Sequence, residues 1–331
     1  MRRAVVVVSS VLVLGLGLVP SVASAAAQAA APPSSSCRGV GVRMRFATFD
    51  AAGHVDTGLH GTDRRGIAAG YFDDGPGSDG VAYPTGFVVR AGRVRPVVWD
   101  PALYTDLNDV NGAGVAVGYY GRIGVIANSA FVYDTRTKVA TPLRFPPGVR
   151  TTIAAGINDA GTIVGTLNVD PTGLPQNAAH LGYVKHRRDL DTSNYVPVSY
   201  PGAPETFGNG INNAGAVVGN YHTERGNVGS ANAFVLHDGT YSTIDLHELC
   251  AVRSEAWGIN TERDIVGFFK DAAGAEHGFV TDRHGAVSRI DVRGAAATRP
   301  YAIDDEGTIT GTYDDASGIS HGFTASPRPR R

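Results

Sequence analysis

Cysteine is almost missing from this chain: Cys37 and Cys250 are the only two in 331 residues. Two lone thiols make a poor metal centre. They leave one possible covalent link, a Cys37–Cys250 disulfide, which an oxidising compartment would allow. Charge is scarce as well. Lys and Arg number 29 against 31 Asp and Glu, a formal net charge of −2, which argues against a nucleic-acid surface and a polybasic membrane anchor. The apolar run from Ala4 to Val19 is shorter than the roughly 20 residues a membrane-spanning helix needs, and no later segment carries a helical apolar stripe. Familiar catalytic signatures are missing too. There is no His-Glu-x-x-His, no Gly-x-Ser-x-Gly and no Walker loop. The Gly-x-Gly runs at Gly15–Gly17 and Gly39–Gly41 neither follow a strand nor open a helix, so dinucleotide binding is unsupported and no cofactor is expected.

The N-terminus has the parts of a secretory signal: Arg2 and Arg3, then the apolar run, then Ala23-Ser24-Ala25 as a small-x-small cleavage site. The expected organisation is a signal peptide over 1–25, a low-complexity linker over 26–42, one domain over 43–325 and a basic disordered tail over 326–331. The expected product is secreted, extracellular and monomeric.

What the chain has in excess is glycine, 43 residues, and much of it is periodic. The pattern Asn/Asp-x-x-Gly-x-x-x-Gly begins at Asp63, Asn111, Asn158, Asn212 and Asp304, with a sixth copy at Asn260 in which Arg263 fills the first glycine slot. Steps of 44 to 54 residues separate these starts, the spacing of one repeated supersecondary unit. A second motif follows each first one, at Gly86-Phe87-Val88, Ala130-Phe131-Val132, Gly182-Tyr183-Val184, Ala233-Phe234-Val235, Gly278-Phe279-Val280 and Gly322-Phe323-Thr324. A third is a short run closing on residues such as Phe49-Asp50, Ile244-Asp245 and Ile290-Asp291.

Each unit reads as four short strands, A to D. The Asn or Asp closes the A–B turn through its own backbone, and the first Gly takes positive φ. The second Gly sits inside strand B, where a missing side chain admits another backbone. Four strands per unit predict an all-β, six-bladed β-propeller of four-stranded blades. The chain starts with a third motif and ends with a second, so the N-terminal strand around Arg45–Asp50 is expected to complete the last blade and close the ring.

These motifs resemble the extracellular HAF repeat family, through Asn232-Ala233-Phe234, Ser129-Ala130-Phe131, His277-Gly278-Phe279 and His321-Gly322-Phe323, together with Gly-Ile-Asn at 156–158, 210–212 and 258–260. The likeness spans about residues 43 to 325. It implies a secreted repeat protein and carries no shared chemistry.

Candidate binding residues stand three positions before each Asn or Asp: His60, Asn108, Ala155, Asn209, Trp257 and Tyr301. On strand A they should share one height near the channel mouth. His60, Asn108, Asn209, Trp257 and Tyr301 offer hydrogen bonds and aromatic faces for an extracellular glycan or protein ligand on the B–C/D–A loop face. The alternative is a polysaccharide-active lyase or glycoside hydrolase using Glu205, His222, Glu248, Arg253 and Glu255. His180, His277 and His321 recur at nearly one structural position, which favours service within each blade over a metal ring, so no metal is expected. Asp271 and Asp315 read as turn residues.

Overall fold

The computed structural model describes residues 42–63, 65–75, 81–98, 100–123, 125, 127–169 and 179–327. The expected signal peptide, most of the linker and Cys37 lie outside the described residues. The described part is all-β, a β-propeller of four-stranded blades. Its antiparallel sheets follow chain order. The first is β2 (Asp56–Thr62), β3 (Ile67–Asp73), β4 (Thr85–Arg90) and β5 (Arg93–Pro96), and the second is β6 (Leu103–Val110), β7 (Val115–Arg122), β8 (Asn128–Asp134) and β9 (Val139–Pro142). The third is β10 (Val149–Ile157), β11 (Thr162–Val169), β12 (Ala179–His186) and β13 (Val196–Val198), and the fourth is β14 (Glu205–Ile211), β15 (Val217–His222), β16 (Ala231–His237) and β17 (Thr240–Thr243).

The remaining strands are β18 (Arg253–Ile259), β19 (Ile265–Lys270), β20 (Glu276–Thr281), β21 (Val287–Ile290), β22 (Ala297–Ile303), β23 (Ile309–Asp314), β24 (Ser320–Pro327) and the N-terminal β1 (Met44–Phe49). Where six separate sheets are expected from sequence, these eight strands form one sheet, because a single parallel bridge from Glu276 to Ala297 joins β20 to β22. β1 pairs antiparallel with β24 from Met44 opposite Pro327 to Phe49 opposite Gly322. The last strand therefore runs two residues into the expected tail.

The motifs now have physical reasons. The aromatic of each second motif, Phe87, Phe131, Tyr183, Phe234, Phe279 and Phe323, is fully buried on the third strand of its unit. The apolar clusters bridge neighbouring sheets: Val117 and Val132 of the second meet Ala154, Ile163, Leu167 and Tyr183 of the third. Each buried Val, Ile or Leu side chain among them contributes roughly 1.5–3 kcal/mol through burial.

The turn asparagines do two things. Asn212 Oδ1 accepts from Ala214 N and Ala216 N, closing its own turn, while its Nδ2 donates to Asn260 O at 2.9 Å. The same link runs from Asn111 to Asn158 O (2.9 Å), Asn158 to Asn212 O (3.1 Å) and Asn260 to Asp304 O (3.3 Å). An amide can cap and tie at once; a carboxylate can only accept. At Asp63 and Asp304 the carboxyl is raised by burial, and Asp63 Oδ2 is buried without a hydrogen-bond partner among the described residues.

Arg263 adopts φ +69°, as Gly66, Gly114, Gly161, Gly215 and Gly307 do at the same slot. A side chain in that region costs about 1–2 kcal/mol, offset in part by the greater unfolded freedom of glycine. Arg263→Gly should therefore stabilise the fold by about 0.5–1 kcal/mol, read as a raised urea midpoint with unchanged slope. A lowered midpoint would show that the exposed arginine makes a compensating contact.

Candidate functional site

The first strands of successive units pack on one another, β2 on β6, β6 on β10, β10 on β14, β14 on β18, β18 on β22 and β22 on β2. Between them lies an axial cavity of about 110 Å³. Its wall includes His60, Asn108, Ala155, Asn209, Trp257 and Tyr301, so the six repeat positions face one cavity. The rest of the lining is the last residues of the first strands and the A–B turns that follow them, with Asp159, Asn213, Thr261 and Asp305 exposed at the rim. The cavity thus opens at the A–B turn end, opposite to the loop face expected from sequence. The reason is the short turn: it leaves the axis uncovered.

Several of the six positions spend their polar atoms on the scaffold. Asn108 Nδ2 donates to Ala154 O at 2.9 Å, and Asn209 Nδ2 donates to Ala256 O at 2.9 Å and Asn220 Oδ1 at 3.1 Å. His60 and Tyr301 are buried and meet edge to face at 4.5 Å, and Tyr301 meets half-buried Trp257 at 5.0 Å. Trp257 Nε1 donates to Glu255 Oε2 at 3.3 Å. These rings, with Phe268 and Tyr71 behind them, make an aromatic floor partway down the axis.

The residue that sequence reasoning missed is Asp109. It lies two positions before its turn asparagine, where the other units carry Gly61, Gly156, Gly210, Gly258 and Ala302. It lines the cavity, and its oxygens accept from Val110 N and Ile157 N, both at 2.8 Å. Burial drives its carboxyl up to about 7; those two donors oppose the rise, and Asp159 and Asp63 add to it. The departure from Gly is visible in the sequence once the copies are aligned. Five carboxylates, Asp63, Asp109, Asp159, Asp304 and Asp305, line the cavity, and among the described residues no Lys or Arg does.

At the other end of the strands the structure gathers four of the five proposed acid–base residues. Glu205 is buried, with Oε1 accepting from His180 Nδ1 at 2.8 Å and Oε2 accepting from His222 Nδ1 at 3.0 Å and Gly226 N at 2.7 Å. Burial alone would raise this carboxyl, but those donors hold it well below its usual range. Arg253 Nη2 pairs with Glu255 Oε1 at 2.7 Å and approaches Glu276 at 3.8 Å. Arg299 bridges Glu276 at 2.6 Å and Asp314 at 3.0 Å. Burial raises Glu255 against the pull of Arg253. Glu248 is not part of this group; it sits exposed on the short 3-10 helix His247–Leu249.

The other histidines serve their own units. His277 faces Asp291 at 3.3 Å and Asp271 at 3.4 Å, and His321 faces Asp50 at 2.8 Å and Asp315 at 3.5 Å. Asp271 and Asp315 also cap their own turns. Cys250, at φ +53°, has no free thiol.

No protein-family model and no curated protein matches this sequence. Solved structures of similar shape include the β-propeller domain of the Trilobed protease from Pyrococcus furiosus, at 10% identity and TM-score 0.46 over 83% of this chain and 95% of that one. AofleA from Arthrobotrys oligospora matches at 11% identity and TM-score 0.48, over 85% of this chain and 86% of that one. TolB from Acinetobacter baumannii matches at 11% and 0.49, over 80% and 64%. Identity this low transfers neither a ligand nor a reaction.

Proposed function

We propose that this chain is a secreted, six-bladed propeller of the HAF repeat type, closed by β1, that binds an extracellular glycan in its axial cavity. Support for six blades is the single bridge within the eight-stranded sheet, the β1–β24 pairing and the contact of β22 with β2. Asp50, just after β1, faces His321 as Asp291 faces His277, so β1 stands where β21 stands one unit earlier. Export rests on the N-terminal sequence, and a Cys37–Cys250 bridge belongs to the same reading.

One observation carries the binding function: an axial cavity walled by carboxylate and amide groups over a floor of Trp257 and Tyr301. Aromatic faces suit the apolar side of a sugar ring, and carboxylates accept its hydroxyls. Polysaccharide cleavage is the lesser reading. It needs an acid and a base aimed at substrate, whereas Glu205 is committed to His180, His222 and Gly226 N, and Glu255 to Arg253 and Trp257.

A glycan array with the full chain tests this. A glycan found there should bind more tightly as pH rises through about 7, where Asp109 ionises and accepts better. Asp109→Asn should weaken it about tenfold and remove that pH dependence. No glycan binding, or binding indifferent to Asp109→Asn, would reject the reading, and capture of a peptide instead would replace the ligand class.

A further inference from the structure

A second cavity, of about 280 Å³, lies between the third and fourth sheets, at the opposite end of the strands from the axial opening. His180 and Glu205 form part of its wall, beside Leu181, Ala203, Pro204 and Arg225. The carboxylate of Glu205 can only accept, so each Nδ1 that it meets, on His180 and on His222, carries a proton. In the neutral ring this leaves Nε2 as a lone-pair acceptor. His180 Nε2 is buried and has no hydrogen-bond partner among the described residues, and the whole residue is 8% exposed.

That arrangement is costly in isolation. A buried acceptor left unmade loses its bonds to water without replacing them, and folded proteins seldom leave one. The ring cannot turn its other nitrogen to the task, because Nδ1 is fixed at 2.8 Å from Glu205, and Phe207 stacks on His180 at 4.7 Å. Phe207 also lies 4.8 Å from His222, so one aromatic side chain braces both rings. The atom is therefore held still, in one tautomer, in a residue that walls a cavity. In the neutral ring, whatever satisfies it brings a donor, and the neighbouring Leu181, Ala203 and Pro204 favour a ligand with an apolar face beside that donor.

We propose that this cavity is a second glycan contact, in which a neutral sugar ring lies against Ala203 and Pro204 and donates a hydroxyl to His180 Nε2. It shares its ligand class with the axial reading and not its site. Glu205 is a positioning residue here: it sets the tautomer that makes Nε2 an acceptor. His222 and Gly226 N complete the set that holds Glu205 in place.

The test is long-range proton–nitrogen correlation on the ¹⁵N-labelled full chain at pH 7.5, titrated in turn with glucose, galactose, mannose and N-acetylglucosamine. The free protein should show His180 protonated at Nδ1 and bare at Nε2. At least one sugar should shift the His180 Nε2 resonance, and Ala203→Trp, which fills the cavity, should weaken that sugar about tenfold or more. A His180 protonated at Nε2 overturns the proposal, as does a resonance unmoved by all four sugars, or a shift that survives Ala203→Trp. The wild-type tautomer and titration decide the matter even where the variant misfolds. The readout is His180 itself, so a failed axial reading would leave this result standing.

Discussion

Gly219→Ala should destabilise the protein by about 3 kcal/mol or more, at the upper end of what overpacking costs. A Cβ built on Gly219 would lie 1.9 Å from Phe207 O and 3.0 Å from the Phe234 ring. The obstacle is a backbone carbonyl, so no side-chain rotation relieves it. It arises because β14 carries a bulge between Gly208 and Gly210, where its register with β15 slips by one residue. The same geometry recurs at Gly70, Gly118, Gly165, Gly267 and Gly311, with distances from 1.9 to 2.3 Å to the first-strand carbonyl of each unit. Thermal unfolding should show a fall of about 6–12 °C, whereas Ser242→Ala, on the exposed last strand of the same sheet, should stay within about 0.5 kcal/mol. A Gly219→Ala protein that melts with the wild type would show that the bulge relaxes freely and that this glycine has another purpose.

The repeat was legible because its causes are local. Asn212 and Gly215 can be read as a turn from four residues, and the structure has Gly215 N donating to Asn212 O. The reason for Gly219 was only half legible. The sequence implies that another backbone approaches it, and the approaching backbone is that of its own paired strand. The bulge is marked only by small residues such as Gly156, Gly210 and Gly258, and their glycine signal does not say which backbone comes close. The interblade tie from Asn212 Nδ2 to Asn260 O was hidden for a different reason: the turn already explained the asparagine. Asp63 and Asp304, which break that tie, looked like harmless synonyms in the pattern.

The columns of the candidate site were legible and the open end of the cavity was not. Counting three back from each Asn or Asp puts His60, Asn108, Asn209, Trp257 and Tyr301 in one cavity wall. Counting could not say which end of the channel the turns leave open. Asp109 was discoverable as the one carboxylate in a column of Gly and Ala, but a motif search rewards agreement and passes over exceptions. His180 stands nearly in one sequence column with His277 and His321, and nothing in that column points to Glu205. Its partner Glu205 lies 25 residues away on the next sheet, a pairing set by how two units pack and by no spacing within either.

That pairing supports the second large prediction. Glu205→Ala should cost about 3–5 kcal/mol at pH 7, because it strands two buried imidazole N–H groups and removes the acceptor of the Gly226 N–H. The pH dependence separates this from a simple cavity effect. The folded carboxyl is held below its ordinary range, so its stabilising contribution is complete above the unfolded value of about 4.3 and is lost as pH falls through the folded value. The gap between wild type and Glu205→Ala, measured by urea unfolding, should therefore narrow between pH 7 and pH 3. A leucine at the same position refills most of the volume but restores none of the acceptors, so Glu205→Leu should remain destabilised and should show the same narrowing. A gap that is constant with pH would mean that packing around Phe207, and not the carboxylate, holds this end of the fourth sheet together.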